Sequence, residues 1–144
     1  MTIRNARPQD ASVLAQLVGQ LGYPTSTEAV SARIARLAAS EADRVVVAEV
    51  DGEVVGVASV HLSLSVEYDE PAAKLSAVVV DERHRRRGVG EALVKALEAE
   101  ARERGCALIF LTTAERRKDA HTFYRRLGFQ ETGRRFAKSL RDPS

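Results

Sequence analysis

"SAVVVDERHRRRGVGEALVKALEAEA", residues 76–101, decides how this chain folds. A β-branched run stops at Asp81, five basic residues crowd into the next six positions, Gly88 and Gly90 follow, and an amphipathic helix pattern begins. The stretch therefore reads as strand, basic loop, helix. The first N–H groups of such a helix have no intrahelical partner, and together with the helix dipole they form an anion site. Gly88 and Gly90 let a phosphate approach the backbone with no Cβ in the way. Arg85, Arg86 and Arg87 add charge-assisted hydrogen bonds to phosphate oxygens. The expected guest is a pyrophosphate, held by the backbone of Arg86, Arg87, Gly88, Val89, Gly90 and Glu91.

Other readings of the loop fit less well. A dinucleotide-binding fingerprint wants a third glycine where Leu93 stands, and an acidic residue about 20 positions on, where "ALIFLTT" has none. A Walker-type loop lacks its Gly-Lys-Ser/Thr. A nucleic-acid patch would be longer and interleaved with aromatic residues, and the chain has only 3 Tyr, 4 Phe and no Trp, so no nucleic-acid partner is expected. The plainest alternative is a solvated basic loop.

Working outward, residues 8–21 open at Pro8 and set Val13, Leu14, Leu17, Val18 and Leu21 on one helical face. Thr25 and Glu28 form a capping-box pattern ahead of a second helix carrying Val30, Ile34, Leu37 and Ala38. Asp51-Gly52 lies between the β-branched runs "RVVVAEV" and "EVVGVASVHLSLSV", a strong hairpin signal. In the second run Ala58, Val60, Leu62, Leu64 and Val66 alternate with Ser59, His61, Ser63 and Ser65, so one face is polar. "VEYDEPAAK" reads as an acidic turn, "CALIFLTT" as a buried strand, "KDAHTFYRRL" as a short helix closed by Gly128, and "FQETGRRFAKSL" as a final strand or hairpin. The helix after the glycine loop offers Glu91–Lys95, Glu98–Arg102 and Glu100–Arg104 pairs at i,i+4. The result is an α/β (α+β) fold: a central mixed, mostly antiparallel twisted sheet flanked by helices, in the order α-α-β-β-β-α-β-α-β.

Composition sets the bounds. At 144 residues and 44% hydrophobic the chain fits a single domain, residues 1–144. No apolar run reaches the ~20 residues of a membrane span, and the start "MTIRNARPQD" is polar, which predicts a cytoplasmic protein with no membrane partner. The lone Cys106 excludes an internal disulfide and Cys-pair metal sites and reads as a buried small hydrophobe. Residues 1–82 carry 6 Lys/Arg and 12 Asp/Glu (6 − 12 = −6), whereas residues 83–144 carry 16 and 8 (16 − 8 = +8). The basic half suits a phosphate-bearing ligand and the acidic half a cationic one.

"VVVDERHRRRGVGEALV" and, in the same order and spacing, "DAHTFYRRLGF" resemble the two signatures of the GCN5-related N-acetyltransferases (GNAT). The likeness covers nearly the whole chain. With "DGEVVGVASVHLSLSV" and "TTAERRKDAHTFYRRLGFQETGRRFAKSL" it narrows toward the aminoalkylphosphonate N-acetyltransferases. The resemblance implies an acetyltransferase using acetyl-CoA, with the backbone of Val78, Val79 and Val80 pairing with the pantetheine arm and Ala120 leaving room for it. It implies Tyr124 as the acid that protonates the leaving thiolate. Relatives often carry Glu where this chain has Ala77, and Asn where it has Arg117, so neither role carries over. For the base, Glu67 is taken first, beside Asp69, Glu70, His61 and His121, while His84 reads as a solvated loop residue. A primary amine of a small polar molecule is the expected acceptor and no metal is required. A homodimer through the final strand fits the likeness, and an acetyl-CoA-binding regulatory module without catalysis is the second reading.

Overall fold

The computed structural model describes residues 1–113 and 118–142. Two compact units divide the chain, Met1–Leu111 and Thr112–Ser144. Chain order is β1 (Thr2–Asn5), α1 (Ala11–Leu21), α2 (Thr27–Ala38), β2 (Asp43–Val50), β3 (Glu53–Ser63), β4 (Ala72–Val80), α3 (Val89–Glu103), β5 (Leu108–Phe110) and α4 (Lys118–Arg126). Single 3₁₀ turns occupy Pro8–Asp10 and Glu82–His84.

The first unit is a five-stranded sheet in the order β1-β2-β3-β4-β5, antiparallel except for the parallel β4–β5 pair. The fold class is as expected, with differences at its ends. Asp51 (φ 51°) and Gly52 (φ 80°) make the predicted two-residue hairpin turn between β2 and β3. β1 was not foreseen. It is tied down by Arg4, whose guanidinium reaches both oxygens of Asp10 at 2.9 and 3.0 Å and Glu49 at 3.0 Å. Among the described residues no strand follows α4, so the expected final strand in 129–140 is absent. That stretch offers only Phe136 and Leu140 after Phe129, both exposed, and a strand without a paired edge or a buried face gains little.

Local chemistry corrects smaller points. Ser26 rather than Thr25 caps α2, its Oγ accepting from the Ala29 N–H at 3.1 Å. β3 stops at Ser63, because its last rung to β4 is Ser63–Ala72; Leu64 and Val66 beyond it are exposed. On α3 the Glu91–Lys95 and Glu98–Arg102 pairs form at 3.0 and 4.0 Å, but Glu100 instead takes Arg44 of β2 at 2.6 Å and Arg104 donates to the Glu41 carbonyl. Cys106 is half-buried, and its thiol is pushed up by burial against the opposing charge of Arg104.

Helices pack on both faces of the sheet. On one, Leu14, Leu17, Val30 and Ile34 of α1 and α2 cluster with Val47, Val57 and Val79. On the other, Leu93, Val94 and Leu97 of α3 are fully buried. There Gly56 of β3 meets the first turns of α3 so closely that an added Cβ would stand 3.0 Å from Leu93 Cδ1, 3.1 Å from Val89 Cγ1 and 3.2 Å from the Val79 carbonyl oxygen.

Candidate active site

Two features of β4 shape the site. It pairs with β3 along its whole length, from Ala72–Ser63 to Val80–Gly56, but with β5 only over Ala72–Lys74. From Leu75 to Val80 its second edge has no strand partner among the described residues, so backbone groups there are available to an extended ligand. Opposite Ser59 and Val60 the register slips: Ala77 pairs with Ser59 and Leu75 with Val60, leaving Ser76 as the extra residue of a bulge. The stretch from Val80 back to that bulge spans about 13 Å at roughly 3.3 Å per residue.

At the C-terminal end of β4 the chain turns through the basic loop into α3. Asp81 caps the 3₁₀ turn by accepting from the Arg83 N–H at 3.0 Å and pairs with its guanidinium at 3.2 Å; these bonds hold its carboxyl below the ordinary carboxylate range. Arg85 Nε donates to the Val80 carbonyl at 3.2 Å. Arg83 and Arg85 are thus engaged in building the loop, while Arg86 and Arg87 are exposed and, among the described residues, carry no ion pair. Arg86 (φ 65°) and Gly88 (φ 81°) are both left-handed, which wraps the loop back onto the helix start. Gly88 caps α3 without any side-chain hydrogen bond, and the first bond at that end runs from the Ala92 N–H to the Gly88 carbonyl at 3.1 Å. The amides of Val89, Gly90 and Glu91 lie ahead of it, outside the i→i−4 ladder. Glu91 does not fill their place, since its carboxylate is drawn along the helix to Lys95. An uncapped helix N-terminus, two free guanidinium groups and an open strand edge in succession suit a phosphate-headed, extended, amide-bearing ligand.

His84 is not the solvated residue expected: it is half-buried, with Nδ1 enclosed and lacking a hydrogen-bond partner. Glu67, Asp69 and Glu70 are exposed in the loop between β3 and β4, at the opposite end of β4 from the glycine loop. A cavity of about 310 Å³ lined by Asn5, Ile34, Leu37, Arg44 and Arg104 lies near the start of β2, also away from that loop. Arg44 there is held by Glu100 and Asn5, and Arg104 by the Glu41 carbonyl.

In the second unit, α4 ends as the sequence predicts. Gly128 (φ 95°) turns the chain back, and the Phe129 N–H reaches the Tyr124 carbonyl at 3.0 Å. This turn stacks Phe129 edge-on against the Tyr124 ring, centroids 5.6 Å apart, with Phe123 on another side at 5.1 Å. Tyr124 and Ala120 are half-buried; Arg117 lies outside the described residues.

The family profile described as "Acetyltransferase (GNAT) family" matches residues 12–129. The chain belongs to that acetyltransferase family. The curated aminoalkylphosphonate N-acetyltransferase of Salmonella typhimurium is 36% identical over 90 residues, 62% of this chain and 58% of that protein, so the match spans little more than half of the relative. The aminoglycoside N(6′)-acetyltransferase type 1 of Stenotrophomonas maltophilia is 33% identical over 137 residues, 92% of this chain and 88% of its own length. Among solved structures, an aminoglycoside N-acetyltransferase described as a complex with CoA superposes with a TM-score of 0.85 at 22% identity, covering 98% of this GNAT chain and 95% of the other, a likeness in fold. Members of that family are acyltransferases by class, and acetyl-CoA is the co-substrate of such enzymes. No helix among the described residues is long and apolar enough to cross a membrane.

Proposed function

We propose that this chain, as one acetyltransferase domain over residues 1–144, moves an acetyl group directly from acetyl-CoA to the primary amine of a small polar molecule. The observation that carries the proposal is the continuity of the open β4 edge with the uncapped start of α3. The amides of Val89, Gly90 and Glu91, with Arg86 and Arg87, bind the pyrophosphate, while Val78, Val79 and Val80 pair with the pantetheine arm. That arm leads the thioester toward the bulge at Ser76. The ammonium gives up a proton, the amine nitrogen bonds to the thioester carbon, the C–S bond breaks, and the thiolate leaves with a proton from Tyr124, the role its motif assigns. Tyr124 recovers that proton from the nitrogen of the new amide, so the net change releases one proton.

Both curated relatives act, by their names, on small polar amines, which supports the acceptor class. The exposed carboxylates Glu67, Asp69 and Glu70 support entry of a cationic amine from the end opposite the phosphates. Replacing the three by neutral amides raises KM for cationic amines under this reading; a zwitterionic acceptor would instead seat its anionic end on Arg134, Arg135 or Lys138, and an aminophosphonate preference that disappears in Arg135→Gln favours that acceptor. A cytoplasmic location accompanies the reading. So does a homodimer, supported by exposed Phe136 and Leu140 and tested by sedimentation of the purified chain.

Mixing the chain with acetyl-CoA and a panel of amines tests the central claim. Free thiol appearing only with an amine present, together with the acetylated amine, is the expected result. Acetyl-CoA binding without thiol release makes the protein a binding module.

A further inference from the structure

The reaction needs a proton acceptor for the ammonium, and the sheet carries a candidate besides the loop carboxylates. His61 of β3 stands directly opposite Asp43 of β2, and His61 Nδ1 lies 2.8 Å from Asp43 Oδ1. The two elements that flank His61 bring Asp43 on one side and Lys74 on the other as its charged neighbours, and Ser59 and Ser63 flank it along its own strand. From Asp43 to Ala48 the β2–β3 register runs unbroken, so the Asp43–His61 pair shares a face with Val47–Val57, the face that α1 and α2 cover further along. Ala77 pairs with Ser59 and Val79 with Val57, so Ala77 belongs to the same face. The His61–Lys74 rung thus adjoins the bulge at Ser76, just where the second edge of β4 becomes open.

The two partners differ in access. The His61 side chain keeps 47% of its surface, the Asp43 side chain 16%. A sheltered carboxylate that accepts from Nδ1–H leaves Nε2 as the nitrogen with a lone pair, the arrangement of a base oriented by a third group. Burial works to raise the Asp43 carboxyl, but hydrogen bonds from Ser40 and His61 outweigh it and hold the group below the ordinary carboxylate range, so it is an anion at neutral pH.

We propose that His61 is the proton acceptor for the acceptor ammonium, with Asp43 as its positioning residue. The proposal rests on the acetyltransferase reading. In the step, the ammonium N–H bond breaks, its proton passes to His61 Nε2 directly or through one water, and the lone pair left on nitrogen forms the N–C bond. The imidazolium, balanced by the Asp43 carboxylate, then returns the proton to solvent. No oxidant, metal or further reactant enters.

Turnover of wild type, His61→Gln, His61→Ala and Asp43→Asn is compared from pH 6 to 9.5, with acetyl-CoA affinity measured separately by calorimetry. At pH 7 the His61 variants lose turnover by on the order of 10²-fold, with acetyl-CoA affinity unchanged. The loss shrinks as pH rises toward the acceptor's own titration near ~10, where free amine is already present. Added imidazole restores part of the rate to His61→Ala. Asp43→Asn changes the shape of the pH profile, which a purely structural partner would not do. An active wild type with His61→Gln at the same rate, or with a loss constant across pH and no imidazole rescue, overturns this inference and leaves the acetyltransferase reading standing. An unchanged profile in Asp43→Asn removes the positioning role, and does so even if a His61 variant fails to fold. A wild type that acetylates no amine overturns both.

Discussion

Replacing Gly56 by Ala adds one methyl group at the closest approach of sheet and helix. Gly56 is not left-handed, so its backbone accepts alanine, and the unfolded-chain entropy favours the substitution by up to ~1 kcal/mol. Against this stand three contacts at 3.0, 3.1 and 3.2 Å. Two of the neighbours, Leu93 and Val89, are 0% and 4% exposed, and the third is a backbone oxygen, so none can swing aside. Overpacking of this kind costs roughly 1–3 kcal/mol. The net is a destabilisation of about 1.5 kcal/mol, which at ~2.1 cal/mol/K per residue lowers Tm by about 5 °C. Relief comes by pushing the first turns of α3 off the sheet, so acetyl-CoA affinity falls as well. Gly19 of α1 is the internal control: an added Cβ there meets nothing within 4 Å, and helix propensity predicts a gain of about 0.5–1 kcal/mol from alanine. Thermal unfolding with calorimetric titration reads both quantities. A Gly56→Ala protein as stable as wild type and binding acetyl-CoA equally well refutes the claim that this contact seats the helix.

The remaining predictions concern single groups. Gly88→Val forces a β-branched residue to φ 81° at roughly 1–2 kcal/mol and sets a side chain beside the free amides, so acetyl-CoA affinity drops more than tenfold by calorimetry. Tyr124→Phe keeps the ring stacked between Phe123 and Phe129 and removes only the hydroxyl; turnover falls on the order of 10²-fold with acetyl-CoA affinity unchanged. Asp10→Asn breaks the paired bonds to Arg4 and costs about 2 kcal/mol in urea unfolding at pH 7. The Arg4 bonds hold the Asp10 carboxyl below its ordinary 3.8, so its contribution is complete above that value and is lost as pH falls through the lower folded-state value; wild type and variant converge in acid.

The glycine loop, the β2–β3 turn and the amphipathic helices were legible because each is written in local residue choice. Other features depend on distant partners. β1 is only four residues long and owes its place to Asp10 and Glu49, which no window around it reveals. Gly56 looks like any strand glycine until α3 packs on it. The Asp43–His61 pair was hidden by register. The turn alone sets Val50 against Glu53 and Glu49 against Val54, a count that would place Asp43 opposite Val60; the slip between Ala48 and Glu49 moves every later pair by one and brings His61 into line. The final segment erred the other way, since strand-like composition at 129–140 found no partner edge among the described residues.

The short β4–β5 seam also bears on how this protein breathes. β2 through β4 close by antiparallel neighbours across short connections, whereas β5 returns only after the whole of α3 and is fastened over three residues. Loop closure of that length comes with few bonds in return, so β5 is the strand most readily detached. Amide hydrogens at Leu108–Phe110 should exchange through a partial opening that leaves those of β2 and β3 protected, and a ligand wedged along β4 would act on this seam as a splint rather than on the global stability of the sheet.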